Sequence, residues 1–177
     1  MAAVSSRTDG DDPLTDDRPI SLRFPIALVL SIACLTTPAW ADFEVGMAAY
    51  HRGDYATALR EWRRLAEQWQ AEEAQFNVGL LYENGQGVPQ DYVQARQWYA
   101  KAAAQGYAGA QSNLGRLYEF GHGVTQDYVQ AYMWYILGAA QGDTLGAELR
   151  DALAKRITPG QLFQAQQRAQ EWKPIKK

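Results

Sequence analysis

Two adjacent stretches of the chain carry most of the information about its fold. Residues 74–109 read AQFNVGLLYENGQGVPQDYVQARQWYAKAAAQGYAG, and residues 110–145 read AQSNLGRLYEFGHGVTQDYVQAYMWYILGAAQGDTL. Aligned without a gap, the two stretches share 22 identities in 36 positions. Self-similarity at a fixed period of this length is typical of proteins that stack helical hairpins. We therefore predict an all-α fold, an α/α superhelix (solenoid) of antiparallel helix pairs.

The first half of each repeat predicts a helix with a close neighbour. Apolar residues recur at helical spacing from about Ala74 to Glu83. Gly79 falls inside this helix, where glycine costs about 1 kcal/mol relative to alanine. Because Gly115 recurs at the same place in the second copy, we expect another helix to cross there too closely for a Cβ atom.

The second half of each repeat begins with a readable cap. Gly85-x-Gly87 ends the first helix with backbone conformations that glycine reaches without strain. Asp91 and Asp127 are each followed three residues later by Gln, the pattern of a capping box. We interpret both carboxylates as helix caps rather than as an acid–base pair. Gly106 is the expected stop of the second helix.

Flanking units have drifted from the repeat. Phe43 to Trp69 has the spacing of a helix-turn-helix unit, and Ala147 to Lys155 predicts one further helix. Thr158 with Gln161 forms another capping box and opens a last helix that reaches about Trp172. The prediction is four hairpins with eight helices over residues 42–172, followed by a short tail, 173–177.

Residues 1–41 differ in composition from the rest. Met1–Asp17 is polar and is predicted to be a disordered leader. The next part of the sequence predicts a secretory signal peptide with cleavage after Ala41. It has a basic flank, the apolar run Phe24–Leu35 and small residues at positions 39 and 41. The alternative is that the apolar run is a buried helix of the core. If the chain is exported, it is expected to be periplasmic or secreted.

The single cysteine, Cys34, lies inside the apolar run. Ser31-Ile32-Ala33-Cys34 is a poor version of a lipoprotein box, so a membrane tether is expected only if Cys34 is lipidated. Cleavage after Ala41 would leave a chain without thiol or disulfide chemistry. The formal net charge of the whole sequence is −3, and no basic patch predicts nucleic acid as a partner.

The recurring residues resemble those of Sel1-like repeats, relatives of the tetratricopeptide repeat. The copy at Ala110 carries Ala-x-x-x-Leu-Gly-x-x-Tyr, Gly-x-Gly-Val, Gln-Asp-Tyr and Ala-x-x-Trp-Tyr. The copy at Ala74 departs from it by having Val78 in place of the leucine, and the unit before it is similar to a plain tetratricopeptide repeat. The resemblance covers about Phe43 to Trp172. It implies a right-handed superhelix that binds other proteins or peptides.

No residue set predicts catalysis, a metal or a cofactor. His51 and His122 fall in loops or at helix ends, where we expect solvated side chains, and they lack the spacing of a metal site. Ser112 is the one serine after Ala41, and no base is tied to it. We interpret Trp62, Trp98 and Trp134 as structural residues of an interior stripe.

Binding residues are expected on the inner groove of the superhelix, at exposed positions of the first helices. By analogy with tetratricopeptide repeats these are Phe76, Asn77, Leu80, Glu83, Ser112, Asn113, Arg116 and Glu119, with Phe43, Glu44 and Met47 in the first unit. The two Asn side chains would bond either the backbone of a bound peptide or the neighbouring hairpin. Arg116 would pair a carboxylate, and Phe76, Leu80, Phe120 and Met47 would supply apolar anchors.

The leading hypothesis is thus an exported module that binds a peptide or protein partner. A cell-wall-related enzyme that hydrolyses peptidoglycan or a β-lactam is one alternative, since some exported proteins with such repeats are linked to that chemistry. A structural, self-associating protein is another. Function is expected at positions that do not repeat, such as Leu80 against Arg116 and Phe76 against Ser112.

Overall fold

A computed structural model describes residues 39–175, with side chains from Asp42 onward. Over this range the chain forms eight α-helices and no strand. In chain order they are α1 (Ala39–His51), α2 (Tyr55–Gln68), α3 (Glu72–Asn84), α4 (Tyr92–Gln105), α5 (Ala108–Phe120), α6 (Tyr128–Ala140), α7 (Thr144–Ala154) and α8 (Pro159–Glu171). The all-α class and the eight helices are confirmed for the described residues.

The leader, most of the proposed signal peptide and Cys34 fall outside the described residues. Their roles therefore stay predictions, as does cleavage after Ala41. Among the helices between residues 39 and 175, none combines the length and the apolar character needed to cross a bilayer.

Three helix pairs form close hairpins. We name α1–α2 hairpin 1, α3–α4 hairpin 2 and α5–α6 hairpin 3; successive hairpins stack through contacts of α2 with α3 and of α4 with α5. The predicted fourth hairpin is wrong in detail, because α7 and α8 both pack against α6 rather than closely against each other. The reason is that α6 carries Ile136 and Leu137 where α4 has Ala100 and Lys101. The wider apolar surface of α6 is covered by α8.

Close crossings explain the glycines inside the first helices. A Cβ atom on Gly79 would lie 2.6 Å from the ring of Tyr99, and one on Gly115 would lie 2.7 Å from the ring of Tyr135. The expected close approach is confirmed, and the crossing helix is the second helix of the same hairpin. A tyrosine ring thus fills the space that a methyl group would need.

Hairpin 1 uses a tryptophan where hairpins 2 and 3 use tyrosine. A Cβ atom on Gly46 would collide with the indole ring of Trp62. Trp62 is therefore not the counterpart of Trp98 and Trp134, which corrects the grouping predicted from sequence. Trp98 is buried as expected, whereas Trp134 is only half-buried.

The two glycines of each loop have different tasks. Gly85 and Gly121 are left-handed C-caps, with φ of 67° and 70°. At Gly87 a Cβ atom would lie 2.7 Å from the backbone carbonyl carbon of Tyr55 in hairpin 1. The second glycine therefore lets the loop lie against the preceding hairpin, a contact that the cap interpretation missed.

The predicted helix caps form. Asp91 and Asp127 each accept hydrogen bonds from the backbone N–H groups two and three residues further on, at 2.9 and 3.0 Å. Thr158 and Gln161 make the full reciprocal capping box at the start of α8. The two repeated carboxylates are thus engaged by backbone, as their position in the sequence predicts.

Candidate functional site

The first helices of hairpins 2 and 3 carry matching positions along one side. These positions are Asn77, Leu80 and Asn84 on α3, and Asn113, Arg116 and Phe120 on α5. Spacings of three and four residues place each set on one side of its helix. We name this surface the first-helix face, and the predicted groove residues lie on it or beside it.

A buried carboxylate joins hairpin 2 to hairpin 3. Glu83, near the end of α3, accepts a hydrogen bond from the Tyr99 hydroxyl of α4 at 2.6 Å and from the Arg116 guanidinium of α5 at 2.5 Å. Asn113 of α5 is buried beside the same tyrosine. We name these four residues the Glu83 cluster. Because its members come from both hairpins, the cluster sets how one hairpin sits on the next.

The same chemistry recurs at the end of the stack. Glu119 accepts a hydrogen bond from the Tyr135 hydroxyl at 2.8 Å and is paired with the Arg156 guanidinium. Arg156 belongs to the turn between α7 and α8, not to the helix position that Arg116 occupies. We name these residues the Glu119 cluster. A different element of structure thus supplies the same cation.

Four of the predicted groove residues are not exposed, which corrects the expectation. Glu83, Ser112, Asn113 and Glu119 are all buried. The physical reason is that neighbouring hairpins cover them and use their polar atoms or their small size. Their role in binding a partner stays a prediction, and burial leaves little of these side chains for a partner to contact.

The two recurring asparagines differ in their surroundings. Asn113 is buried beside Tyr99 of the preceding hairpin, which favours the second of the two alternatives left open by the sequence. Asn77 is half-buried on α3, and the aromatic residue in the matching place before it is Trp62. The Nε1 atom of Trp62 is buried without an acceptor, so it does not bond Asn77. Asn77 therefore keeps the role of a candidate contact for a peptide backbone.

The difference between Phe76 and Ser112 is a packing difference. Phe76 stacks against Tyr107 with ring centroids 5.0 Å apart. Ser112 is fully buried, and Cβ atoms added to Gly138 or Gly146 would collide with its hydroxyl oxygen. Here three helices meet around a small residue, whereas the matching place in hairpin 2 is filled by a phenylalanine. Packing is enough to explain why Phe76 and Ser112 differ, without a functional role for this position.

The remaining predicted positions split into core and surface. Phe43 and Met47 are half-buried and pack against the core of hairpin 1, and Leu80 packs against the core around Tyr99. Glu44 is exposed. The apolar anchors expected in hairpins 1 and 2 are thus largely used by the fold.

Phe120 is the large apolar side chain that the first-helix face leaves open. It is 52 % exposed, one turn after Arg116 on α5. Arg156 lies close by, because it pairs with Glu119, the residue before Phe120. Each guanidinium has five N–H donors, so the pairing with glutamate leaves donors for a partner. The arrangement is an exposed aromatic ring one helical turn after a guanidinium that a buried glutamate holds in place.

His122 is exposed, as expected for a loop residue, but its ring is not free. It stacks on Tyr92 of hairpin 2 with ring centroids 4.5 Å apart, and it lies 6.0 Å from the Phe120 ring. The middle residue of the Gly-x-Gly loop therefore contacts the preceding hairpin. Between residues 42 and 175, no group of His, Asp and Glu side chains is arranged to hold a metal ion.

The cluster tyrosines are kept neutral. Burial raises the pKa of the Tyr99 hydroxyl far above its ordinary value, and the nearby Glu83 carboxylate acts in the same direction. Burial also raises the pKa of Tyr135, with Glu119 as the next cause. A neutral phenol donates a hydrogen bond to the carboxylate, whereas a phenolate would repel it. Both clusters therefore need protonated tyrosines.

A second repeated network joins glutamine side chains, and sequence reasoning missed it. The Gln75 amide donates to the Ala66 carbonyl and accepts from Gln105, and the equivalent Gln111 accepts from Gln141; both Gln–Gln distances are 2.8 Å. The recurrence of these glutamines 36 residues apart could have pointed to a shared role. The sequence does not indicate, however, that two glutamines 30 residues apart lie in contact.

Comparison with known proteins identifies the repeat. The Sel1 repeat family matches residues 72–107 and 108–143, the same period as the repeat in the sequence with a frame two residues earlier. Residues 72–143 are two Sel1 repeats. Protein sel-1 homolog 2 of Rattus norvegicus is 41 % identical over 85 residues, which cover 45 % of this chain and 12 % of that protein. The Mus musculus protein gives the same figures.

Two solved structures share the fold of this Sel1-like chain. The Escherichia coli protein c5321, described as a protective antigen of uropathogenic strains with an SLR fold, superimposes with a TM-score of 0.72 at 34 % identity, covering 76 % of this chain and 30 % of that one. A Sel1 repeat protein from Oxalobacter formigenes gives a TM-score of 0.59 at 32 % identity, covering 75 % and 54 %. The chain thus spans only part of each relative.

Proposed function

We propose that this Sel1-like protein is an interaction module that binds a protein or peptide partner along its first-helix face. Sel1 repeats and the SLR fold are typically protein-interaction modules, which supports the general role. The specific observation is Phe120, an exposed aromatic ring one helical turn after Arg116, on a face where buried glutamates hold Arg116 and Arg156. Aromatic and arginine side chains dominate the energetics of many protein interfaces.

The chemistry of this face favours a partner with an apolar side chain next to a carboxylate. The apolar side chain would cover Phe120, and the carboxylate would take the donors that Arg116 and Arg156 do not use on glutamate. Asn77, one hairpin earlier, would bond the backbone of an extended partner. The proposal includes no catalytic step, because the carboxylates on this side are buried and engaged in packing.

The test compares two exposed apolar residues. Phe120→Ala removes the proposed anchor, and Val93→Ala, on α4, removes an exposed apolar side chain that lies outside the face. We expect partner capture by the immobilised protein, quantified by mass spectrometry, to fall with Phe120→Ala and to stay with Val93→Ala. The opposite ranking would place the binding surface elsewhere. Circular dichroism at 222 nm confirms that both variants are folded.

We also propose that the protein is exported. The support is the pattern of a basic flank, an apolar run and small residues before Ala41. N-terminal sequencing of the protein from a periplasmic fraction is expected to begin at Asp42. Recovery of the intact chain from the cytoplasm would reject export, and recovery of a lipid-modified Cys34 would establish a membrane tether instead.

A further inference from the structure

The outer side of the stack, formed by the second helices, carries a groove that is partly covered by the chain itself. The groove has a volume of about 620 Å³ and runs between α2 and α4. Ala66, Ala100 and Ala104 form an apolar floor, while Gln70 and Gln105 line its side. This groove is separate from the first-helix face, because most of its lining comes from the second helices and no residue of that face lines it.

An extended segment of the chain already lies at one end of the groove. After α8 the chain runs back along the second helices, with Trp172 edge-on against Trp134 of α6 at 6.1 Å. Ile175 then donates its backbone N–H to the Ala104 carbonyl at 2.8 Å, and its side chain lines the groove. We name residues 173–175 the tail. Its bond satisfies one of the carbonyls that every helix leaves free at its last turn.

The tail covers the groove incompletely. The Ile175 side chain is 68 % exposed, so it contributes an edge to the groove rather than a plug. The matching surface of α6, formed by Ile136, Leu137 and Ala140, is covered by α8. On the outer side of the stack, a helix thus packs on α6, whereas an extended segment covers α4 only in part.

Two local features mark the groove as a place for a peptide backbone. The Oε1 atom of Gln105 is buried without a donor, whereas both amide atoms of Gln75 in the same groove are bonded. Gln70 has φ of +49°, the one non-glycine residue with positive φ among those described, and its carbonyl accepts from Gln105. An unused acceptor and a strained backbone are features that concentrate at binding sites.

We propose that this groove binds an extended peptide segment of a partner, and that the tail competes with that segment for the same place. The chemistry of the ligand is the one that the tail displays: an extended backbone that donates N–H to Ala104 and an aliphatic side chain over the alanine floor. Proline and lysine flank the aliphatic residue in the tail itself. The unfilled volume gives room for a longer segment than the tail provides.

The experiment measures binding of a labelled peptide, EWKPIKK, by fluorescence anisotropy. We compare the full chain with a Pro174→Gly/Ile175→Gly variant of the full chain, whose tail has lost its apolar contacts. If the tail covers the site nine-tenths of the time, weakening it is expected to tighten peptide binding about tenfold. A chain that lacks residues 173–177 provides a second way to free the groove. Equal affinity for full chain and variants, or no binding to any folded variant, overturns the proposal.

Matched substitutions locate the site. Ala100→Arg places a bulky charge in the groove and is expected to abolish peptide binding in the tail variant, whereas Gln97→Arg, one turn earlier on α4 and exposed, should leave it unchanged. A peptide with Asp in place of Ile should bind at least about tenfold more weakly. If the full chain forms a dimer that the tail variant does not, the occupant is the tail of a second copy and the proposal of a partner segment is wrong.

Discussion

The stack contains two junctions between hairpins, one between hairpins 1 and 2 and one between hairpins 2 and 3. They are built from matching positions but differ in the chemistry of the side chains. The later junction contains the buried Glu83 with its hydroxyl and guanidinium donors. At the earlier one, the residue that matches Glu83 is Tyr50. Its ring packs against Trp62 of its own hairpin at 5.6 Å, and its hydroxyl lies 3.5 Å from the Gln86 amide oxygen of hairpin 2. A shared backbone geometry thus accepts either an aromatic contact or an ion pair, provided that all partners change together.

This comparison explains why Leu80 and Arg116 differ at matching positions. Arg116 faces a hairpin that offers Glu83, while hairpin 1 offers no carboxylate at the matching place, so Leu80 is suited to an apolar neighbourhood. Packing is therefore enough to explain this difference, and a role of the pair in binding stays a prediction. The repeat varies where the preceding hairpin varies.

The largest effect should come from removing the buried carboxylate. Glu83→Ala leaves the Tyr99 hydroxyl and the Arg116 guanidinium without their acceptor, and breaking a buried pair in this way costs about 3 kcal/mol. Urea denaturation followed at 222 nm measures the loss. Glu148→Ala, at an exposed position, is the control and should stay within about 0.5 kcal/mol of the parent. A similar loss in both variants would show that the cluster is not what holds the junction.

The glycine crossings inside hairpins 1 and 3 should respond alike to an added methyl group. Gly115→Ala and Gly46→Ala each force a methyl group into an aromatic ring, and overpacking of this kind costs about 1–3 kcal/mol. Gly109→Ala, also in α5, meets its nearest atom only at 3.4 Å and should instead stabilise the helix by up to about 1 kcal/mol. Thermal unfolding of the three variants gives the order. Stabilisation by Gly46→Ala would mean that the indole of Trp62 moves aside.

Alkaline pH should lower the free energy of unfolding through the two cluster tyrosines, Tyr99 and Tyr135. Because the pKa of Tyr99 and of Tyr135 is raised in the folded state, the unfolded chain loses these protons first, from pH 10 upward. Stability is then fully present below pH 10 and falls above it by up to about 1.4 kcal/mol per pH unit for each tyrosine. Urea titrations at pH 9 and pH 11 measure the fall. The Tyr99→Phe/Tyr135→Phe variant should lose clearly less, and an unchanged slope would contradict the burial of these hydroxyls.

The smallest effect is expected at the earlier junction. The Tyr50 hydroxyl makes one long contact, 3.5 Å from the Gln86 amide oxygen, so Tyr50→Phe should change stability by less than about 0.5 kcal/mol. Tyr99→Phe, which removes a 2.6 Å bond to a buried carboxylate, should cost about 1–3 kcal/mol. Equal losses in the two variants would erase the distinction between the junctions.

The sequence by itself determined the local structure of this protein. Caps, turns and helical faces depend on residues a few positions apart, so the pattern of neighbouring residues was enough to assign Asp91, Gly85 and Thr158. The period of 36 residues and the close crossing at Gly79 followed from recurrence. The family followed from the same residues.

Only the tertiary structure decided which side chains are available to a partner. Glu83 and Asn113 resemble groove residues along the sequence. Yet Tyr99 and Arg116 bond Glu83 from 16 and 33 residues away, and Asn113 is buried beside Tyr99, 14 residues before it. The packing of α8 on α6 and the return of the tail to Ala104 depend on contacts between still more distant segments. A repeat pattern specifies the contacts within a hairpin. Which side chains of that hairpin are covered depends on the segment that folds against it.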